Sequence, residues 1–332
     1  MMTKQVGFGI LGCGRITRRG LVPGIVQSPA AKLVALASLR PGVAAELARE
    51  CGAAKAYESY EAVIDDPAVT AVYIPSTGES HKQWTLRAAS AGKHVLCEKS
   101  LALNVAEAEE MAAACRDAGV VLQEAFMWRH HPRTKRAKQL LAEGAIGDLR
   151  LICAHFSFDI VPGDWRLDPA RGGGAVWDIG CYGVNASRNF VGSEPATIHA
   201  RARFNAAGAD TTMQIALEFP NGVLANIDCS FEAPFRCGVE LVGTKGAMTL
   251  PDAFLPPLAA KLHVRRGTAP ETTPPESTRE VLTFPEANQY AEQVTDFCAS
   301  ISAGKLLAPA EDGVANMRVL EAALACAKAG RR

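Results

Sequence analysis

The sequence predicts an α/β N-terminal domain on a doubly wound parallel sheet. An α+β C-terminal domain follows, on a large, mainly antiparallel, open-faced sheet. Three observations predict this. Short apolar runs alternate with helical stretches up to about residue 128, the grammar of strands joined by helical crossovers. Beyond that point long strand-like runs follow one another, separated by hairpin turns. A length of 332 residues fits about two domains, each able to bury a core, with boundaries at 1–128 and 129–332.

The elements follow in order. Val6–Leu11, Leu33–Leu39, Thr70–Pro75, His94–Cys97 and Val120–Phe126 read as strands of the first domain. Between them, Glu79–Ala91 reads as a helix ending at Gly92. Asn104 is an N-cap for a helix over Val105–Ala118, with Gly119 as its stop. In the second half, Leu149–Ile160, Ala196–Phe204, Thr211–Phe219, Val223–Phe231, Val239–Val242 and Ala247–Leu250 read as strands. Pro220-Asn221-Gly222 and Thr244-Lys245-Gly246 are hairpin turns between them. Pro251 to Thr278 reads as an irregular excursion at the sheet edge. Ala287–Ser302 and Glu311–Ala329 read as helices, the last placed to return and brace the first domain.

The composition narrows the function. Lys plus Arg and Asp plus Glu each number 35, a neutrality that argues against nucleic acid or an anionic membrane as the main partner. No apolar run approaches the ~20 residues that span a bilayer. Met1-Met2-Thr3-Lys4-Gln5 lacks signal-peptide architecture. The ten cysteines are scattered, without a Cys-x-x-Cys pair, and fit reduced core residues of a cytoplasmic protein. His130-His131 lacks acidic or thiol partners at ligand spacing, so no metal is expected.

The chemistry is expected at the carboxyl ends of the parallel strands, where the two halves meet. Behind Val6–Leu11 stands Gly12-Cys13-Gly14-Arg15-Ile16-Thr17. Gly12 permits a tight turn, Gly14 permits close approach of a pyrophosphate, and the next helix aims its N–H groups at the anion. Thr17 takes the place of the usual third small residue. Glu98-Lys99 follows an apolar strand directly; such a lysine serves either as proton relay or as a solvated strand-end charge. Gly172-Gly173-Gly174 opens a helix on which Asp178 and Tyr182 stand four apart, on one face. That pair suits the binding and deprotonation of an alcohol, with Lys99 as the cation a phenol of pKa near 10 needs. It equally suits a core hydrogen bond. Trp165 and Arg166 are candidate rim residues for a polar substrate.

Taken jointly, these motifs resemble the glucose–fructose oxidoreductase / inositol dehydrogenase / MocA family over nearly the whole chain. The residues are Gly9 to Ile16, Ala71-Val72-Tyr73-Ile74-Pro75, Gly92 to Lys99, Gly144 to Leu149, Gly172-Gly173-Gly174 and Asp178 to Tyr182. The resemblance implies that Lys99 acts at the nicotinamide and that Tyr182 is the proton donor or acceptor, with Asp178 beside it. The Asp-x-Gly-x-Tyr pattern points to the dihydrodiol and xylose dehydrogenase branch. Two departures stand out: Ser100 replaces the family's proline, and Thr77-Gly78-Glu79-Ser80 replaces a Pro-Asn stretch before His81.

The expected cofactor contacts are Gly12, Gly14, Arg15, Ile16, Ser38, Arg40, Pro75, Ser76, His81, Glu98 and Lys99. Trp165, Arg166, Asp178 and Tyr182 are the expected substrate contacts. NADP is expected over NAD, because Ser38 and Arg40 stand where an NAD site keeps a carboxylate. The expected activity is hydride transfer at a carbinol carbon of a sugar, polyol or diol. A ketosugar or deoxysugar reductase and a non-catalytic redox sensor are the alternatives. The open sheet face, with Thr197, His199, Arg201 and Arg203 alternating against Ile198, Ala200, Ala202 and Phe204, predicts a homodimer or dimer of dimers.

Overall fold

β1 (Val6–Leu11) is buried at every position, as expected of a central parallel strand covered on both faces. In this computed structural model, which describes residues 5–268, 278–303 and 309–330, five further strands join it. They are β2 (Ala31–Ala37), β3 (Lys55–Tyr57), β4 (Ala71–Ile74), β5 (His94–Cys97) and β6 (Leu122–Glu124). The order is β3-β2-β1-β4-β5-β6, all parallel. That is the doubly wound arrangement with its switch point between β1 and β4. The crossovers are helical: α1 (Val22–Gln27), α2 (Val43–Cys51), α3 (Tyr60–Asp65), α4 (His81–Ser90) and α5 (Val105–Asp117). Asn104 caps α5, accepting the Glu107 N–H at 2.9 Å, and Gly119 follows it with φ +65°.

The chain divides into two units. The first takes in the chain up to His130 together with Asn288–Met317, and the second holds His131–Ala287 and the residues from Arg318 on. The later stretch of the first unit contains α8 (Gln289–Ala303), which packs on α1. Phe297 of α8 is fully buried, its ring centroid 5.9 Å from that of Phe8 on β1. The contact is close because Gly20 and Gly24 lack side chains. A Cβ on either would come within 2.8 Å of Tyr290.

The second unit is an eight-stranded sheet in the order β14-β13-β12-β11-β7-β10-β9-β8. Its strands are β7 (Leu149–Ser157), β8 (Thr197–Phe204), β9 (Asp210–Glu218), β10 (Leu224–Ser230), β11 (Arg236–Gly243), β12 (Gly246–Pro251), β13 (Ala259–Arg266) and β14 (Thr278–Pro285). All neighbours are antiparallel except β7 and β10. α6 (Pro132–Ala142) packs on β13 and β14, and α7 (Cys181–Val191) on β7 and β10. The alternation on β8 is as the sequence indicates: Ala200 is buried and His199, Arg201 and Arg203 are exposed.

Three strands, β13, β3 and β14, depart from the sequence expectation. Pro251 to Thr278 is not irregular throughout, since it contains β13. Ala260, Leu262 and Val264 are buried there, alternating with Lys261, His263 and Arg265, a period-2 pattern obscured by the prolines before it. Residues 269–277 of that stretch lie outside the described residues, as do residues 1–4. β3 and β14 also went unread. β3 is three residues long, and β14, though it holds Val281, Leu282 and Phe284, has no buried position, so neither shows the alternation of a half-buried strand.

Arg133 was not anticipated either. It is fully buried, and its guanidinium donates to the carbonyls of Pro251, Asp252 and Ala253 at 2.6, 3.2 and 3.0 Å. It thereby fixes the segment that follows β12.

Candidate active site

In the first unit the expected cofactor residues lie at the carboxyl ends of β1, β2, β4 and β5. The chain leaves β1 at Gly12, whose φ is +141°. A Cβ there would sit 3.1 Å from Pro75, which follows β4, so glycine lets the two strand exits run side by side. Gly14 is different: a Cβ there would meet nothing within 4 Å. Gly14 and Arg15 are exposed and Ile16 is half-buried, so an anion has room at this helix start. Thr17 is fully buried, and its hydroxyl donates to the Gly12 carbonyl at 2.7 Å. Thr17 thus ties the turn to the helix where a smaller residue would only pack. The helix opens at Arg15, with the Arg18 N–H donating to the Gly14 carbonyl at 3.2 Å, and passes through a π turn over Thr17–Leu21 into α1. Its leading N–H groups have no acceptor within the helix, which is the geometry that holds a phosphate.

At the exit of β2, Ser38 is buried and its hydroxyl accepts the Arg40 N–H at 3.2 Å. No carboxylate stands in Ser38-Leu39-Arg40. Arg40 is exposed, yet its charge reaches the β1 exit. Burial pushes the Cys13 thiol up to about 11, while Arg18 and Arg40 pull against it. Burial also raises the Tyr60 phenol, and again Arg40 opposes the shift. The charge of Arg40 is thus felt at the residues that flank Gly12 and Gly14. Leu39, beside it, is 64% exposed.

His81 joins the exits of β4 and β5. Its Nε2 lies 2.8 Å from the Ser76 carbonyl, and its Nδ1 lies 3.1 and 3.2 Å from the carbonyls of Ser100 and Leu101. It is 1% exposed. Burial lowers its pKa against the opposing pull of those carbonyls, and the charge of Lys99 lowers it further. A neutral imidazole carries one N–H, so one ring nitrogen faces a carbonyl without a proton between them. His81 is a buried clamp, not an exposed base. The Ser76 hydroxyl is buried without a partner. Glu98 accepts the Tyr73 hydroxyl at 2.6 Å and the Lys99 N–H at 3.3 Å. Glu124 accepts the Leu101 N–H at 2.9 Å. Lys99, half-buried, stands in a loop held on both sides, and its peptide bond to Ser100 is cis.

The second unit gathers the expected substrate residues. Gly173 lies where a Cβ would collide with the Arg166 and Asp168 carbonyls, at 2.6 and 2.5 Å. The helix then starts as a π turn over Val176–Gly180 and continues as α7. Gly180 and Gly183 press it onto β10, where a Cβ would meet Cys229 at 2.9 Å and Ile227 at 2.5 Å. Tyr182 is 5% exposed, its ring 5.6 Å from Phe156 and 5.1 Å from Phe254. Asp178 accepts Arg166 Nε at 2.7 Å. Arg166 also pairs with Asp164 at 3.3 Å and stacks on Trp165, 4.6 Å from the ring centroid. Burial works against the Arg166 charge, but the two carboxylates outweigh it and raise its pKa. Arg166 is therefore a partner of Asp178, beyond the rim role read from the sequence.

Sequence reasoning missed Asp210, Tyr73 and Glu124, whose side chains hold these loops. Only the three glycines gave a sign that something approaches the helix start. His130 and His131 turn to separate partners: His130 to Asp296 at 2.8 Å, and His131 to the Arg133 N–H at 3.0 Å. Among the described residues, no helix is long and apolar enough to cross a membrane, and no cluster of His, Cys, Asp and Glu could hold a metal.

Comparison with known proteins agrees with this geometry. Residues 6–126 match the model of an oxidoreductase family with an NAD-binding Rossmann fold, and residues 134–249 match the GFO/IDH/MocA C-terminal domain. A D-xylose 1-dehydrogenase (NADP(+)) of Haloferax volcanii is 35% identical over 97% of this chain and 98% of its own. An aldose–aldose oxidoreductase of Caulobacter crescentus, solved with glycerol, superposes with a TM-score of 0.90 at 29% identity, covering 99% of both chains. A 3-ketoreductase of Actinomadura kijaniata, solved with NADP and TDP-benzene, gives 0.86 at 29% identity, over 96% of this chain and 97% of that one. The chain belongs to the GFO/IDH/MocA oxidoreductase family, and it is an NAD(P)-dependent dehydrogenase or reductase.

The buried histidines set the acid side of stability. Burial lowers His81, His94, His155 and His263, and takes His131 down to about 4. Unfolded histidines take up protons as pH falls through about 6.5, while these do not. Each therefore contributes stability that is full above that pH and is lost on acidification, down to about pH 4 for His131. Asp210, raised to about 6 by burial, acts in the opposite sense between its ordinary value and about 6. Five groups oppose one, so the urea midpoint is expected to fall from pH 7 to pH 5. The fall should be shallower in His131→Asn, which keeps an acceptor for the Arg133 N–H. A midpoint independent of pH would contradict this.

Proposed function

We propose that this member of the GFO/IDH/MocA family is an NADP-dependent dehydrogenase acting at a carbinol carbon of a neutral sugar, polyol or diol. The observation that carries the substrate class is the charge beside Tyr182. Arg166 is neutralised by both Asp164 and Asp178, so this group of three bears a net negative charge. Such a group accepts hydroxyl donors and repels a diphosphate. It favours an uncharged polyol over a nucleotide-linked ketosugar of the kind named for several relatives. The xylose dehydrogenase relative supports the same class.

The nicotinamide, when bound, supplies the hydride acceptor or donor. The chain's residues do the rest. Gly14 and the following helix start receive the pyrophosphate, and Ser38 and Arg40 receive the 2′-phosphate. Tyr182 exchanges the proton with the substrate oxygen as the carbon is oxidised or reduced. Lys99 supplies the positive charge that brings a phenol into a working range. The aromatic packing around Tyr182 limits its rotation, and Asp178 holds a substrate hydroxyl.

A substrate screen and three variants test this reading. A spectrophotometric screen of aldoses, polyols and diols identifies the substrate. With that substrate, Tyr182→Phe is expected to lose ~10²–10⁴-fold in kcat while NADP affinity changes little. Lys99→Ala is expected to lose at least as much. The double variant should fall no further than the worse single one, since both residues serve one proton transfer. Near-normal kcat in Tyr182→Phe would remove the assignment.

On the cofactor side, kcat/KM is expected to favour NADP over NAD, and Arg40→Ala should erase most of that preference. A clear NAD preference in the unaltered enzyme would contradict the Ser38–Arg40 reading. The open face of the second sheet mixes Gln214, Asn226, Glu240 and Lys261 with the exposed Leu224 and Val281, as in a polar-rimmed interface. Light scattering is expected to give twice or four times the 35.2 kDa chain mass. A monomer at micromolar concentration would contradict this.

A further inference from the structure

The helix that carries Asp178 and Tyr182 lacks a cap of its own. Ala175 stands at its N-terminus and offers no side-chain acceptor, where Ser, Thr, Asp or Asn usually stands. The acceptor comes from elsewhere in the same unit. Asp210, first residue of β9 and 1% exposed, accepts the Val176 N–H through Oδ2 at 2.7 Å and also bonds the Ala175 N–H. Gly174 makes room for it: a Cβ there would lie 2.4 Å from Asp210 Oδ1, and its φ of +132° is unsuited to other residues. The last of the three glycines, a motif the catalytic reading leaves unused, is thus the seat of a buried carboxylate. Burial opposes its charge, and the two N–H groups and the positive end of the helix offset that cost.

The cap lies less than two turns ahead of Tyr182, on a helix pinned to β10 at Gly180 and Gly183. Where the helix starts, Tyr182 and Asp178 follow. We propose that Asp210 is a positioning residue for the reaction: its carboxylate sets the axial position of the helix bearing Asp178 and Tyr182. This rests on Tyr182 as the proton carrier. A displacement of about 1 Å in a reacting group can cost on the order of 10²-fold in rate.

Three variants of the full-length protein test it. Asp210→Asn keeps an acceptor oxygen in place, Asp210→Glu moves the carboxylate by one methylene, and Asp210→Ala removes the acceptor. Hydrogen exchange read by mass spectrometry on the peptide covering residues 175–182 reports the cap directly. kcat is measured with NADP and the best substrate of the screen, and NADP Kd by fluorescence titration. Exchange is expected to speed up and kcat to fall about 10–100-fold in the Glu and Ala variants. Asp210→Asn should stay close to wild type, and NADP Kd should hold in all three. Wild-type exchange and kcat in Asp210→Glu would overturn the proposal. So would parallel loss of kcat, NADP binding and Tm, which marks general unfolding. If the Ala variant does not fold, the Glu and Asn pair decides alone. Full kcat in Tyr182→Phe would instead remove the proton-carrier assignment and leave the exchange result to judge the cap.

Discussion

Backbone groups that leave a strand or enter a helix inside the protein must find partners there, because an unpaired buried N–H or carbonyl is costly. The functional segments of this chain meet that constraint with side chains, some from the segment itself and some from other elements. Thr17 serves the Gly12 carbonyl, the single N–H of His81 serves either the Ser76 carbonyl or those of Ser100 and Leu101, and Glu124 serves the Leu101 N–H. In the second unit Asp210 serves Val176. The candidate catalytic residues sit on the segments so held. Lys99 lies between Glu98 and the His81 clamp, and Tyr182 lies on the helix that Asp210 caps. Positioning here follows from hydrogen-bond satisfaction more than from packing alone.

Glycine completes the same scheme by permitting close approach. Gly12 lets the β1 and β4 exits run together, and Gly174 admits a carboxylate. Gly20 and Gly24 seat Tyr290 of α8 against the helix that follows β1, while Gly180 and Gly183 seat the α7 region against β10. Gly14 is the exception, since its missing side chain leaves open space. That contrast separates a glycine kept for packing from one kept for a ligand.

Much of this was legible in the sequence, for local reasons. β1, β4 and β5 are continuous apolar runs, Asn104 is a capping residue at the right spacing, and Gly12 and Gly14 follow a buried strand. What escaped has non-local causes. Asp210 caps a helix 34 residues before it. Arg133 bonds carbonyls more than a hundred residues later. β3 and β14 draw their partners from neighbouring strands and carry no buried apolar pattern. Asp178 was read as a group near an alcohol, but its pairing with Arg166 needed the turn at Gly173 to bring the two together. Ser38 and Arg40 were legible as a cofactor signal; that the Arg40 charge acts on Cys13 and Tyr60 was not.

In the proposed reaction hydride passes directly between a carbinol carbon of a neutral sugar, polyol or diol and a nicotinamide held at the β1 and β2 exits. The most direct measurement uses the preferred substrate labelled with deuterium at the reacting carbon, with NADP, and follows the label by mass spectrometry. The account predicts reduced cofactor heavier by one mass unit, with no label released to water and slower turnover than with unlabelled substrate. Binding of NADP without any labelled cofactor from any neutral sugar, polyol or diol would contradict it.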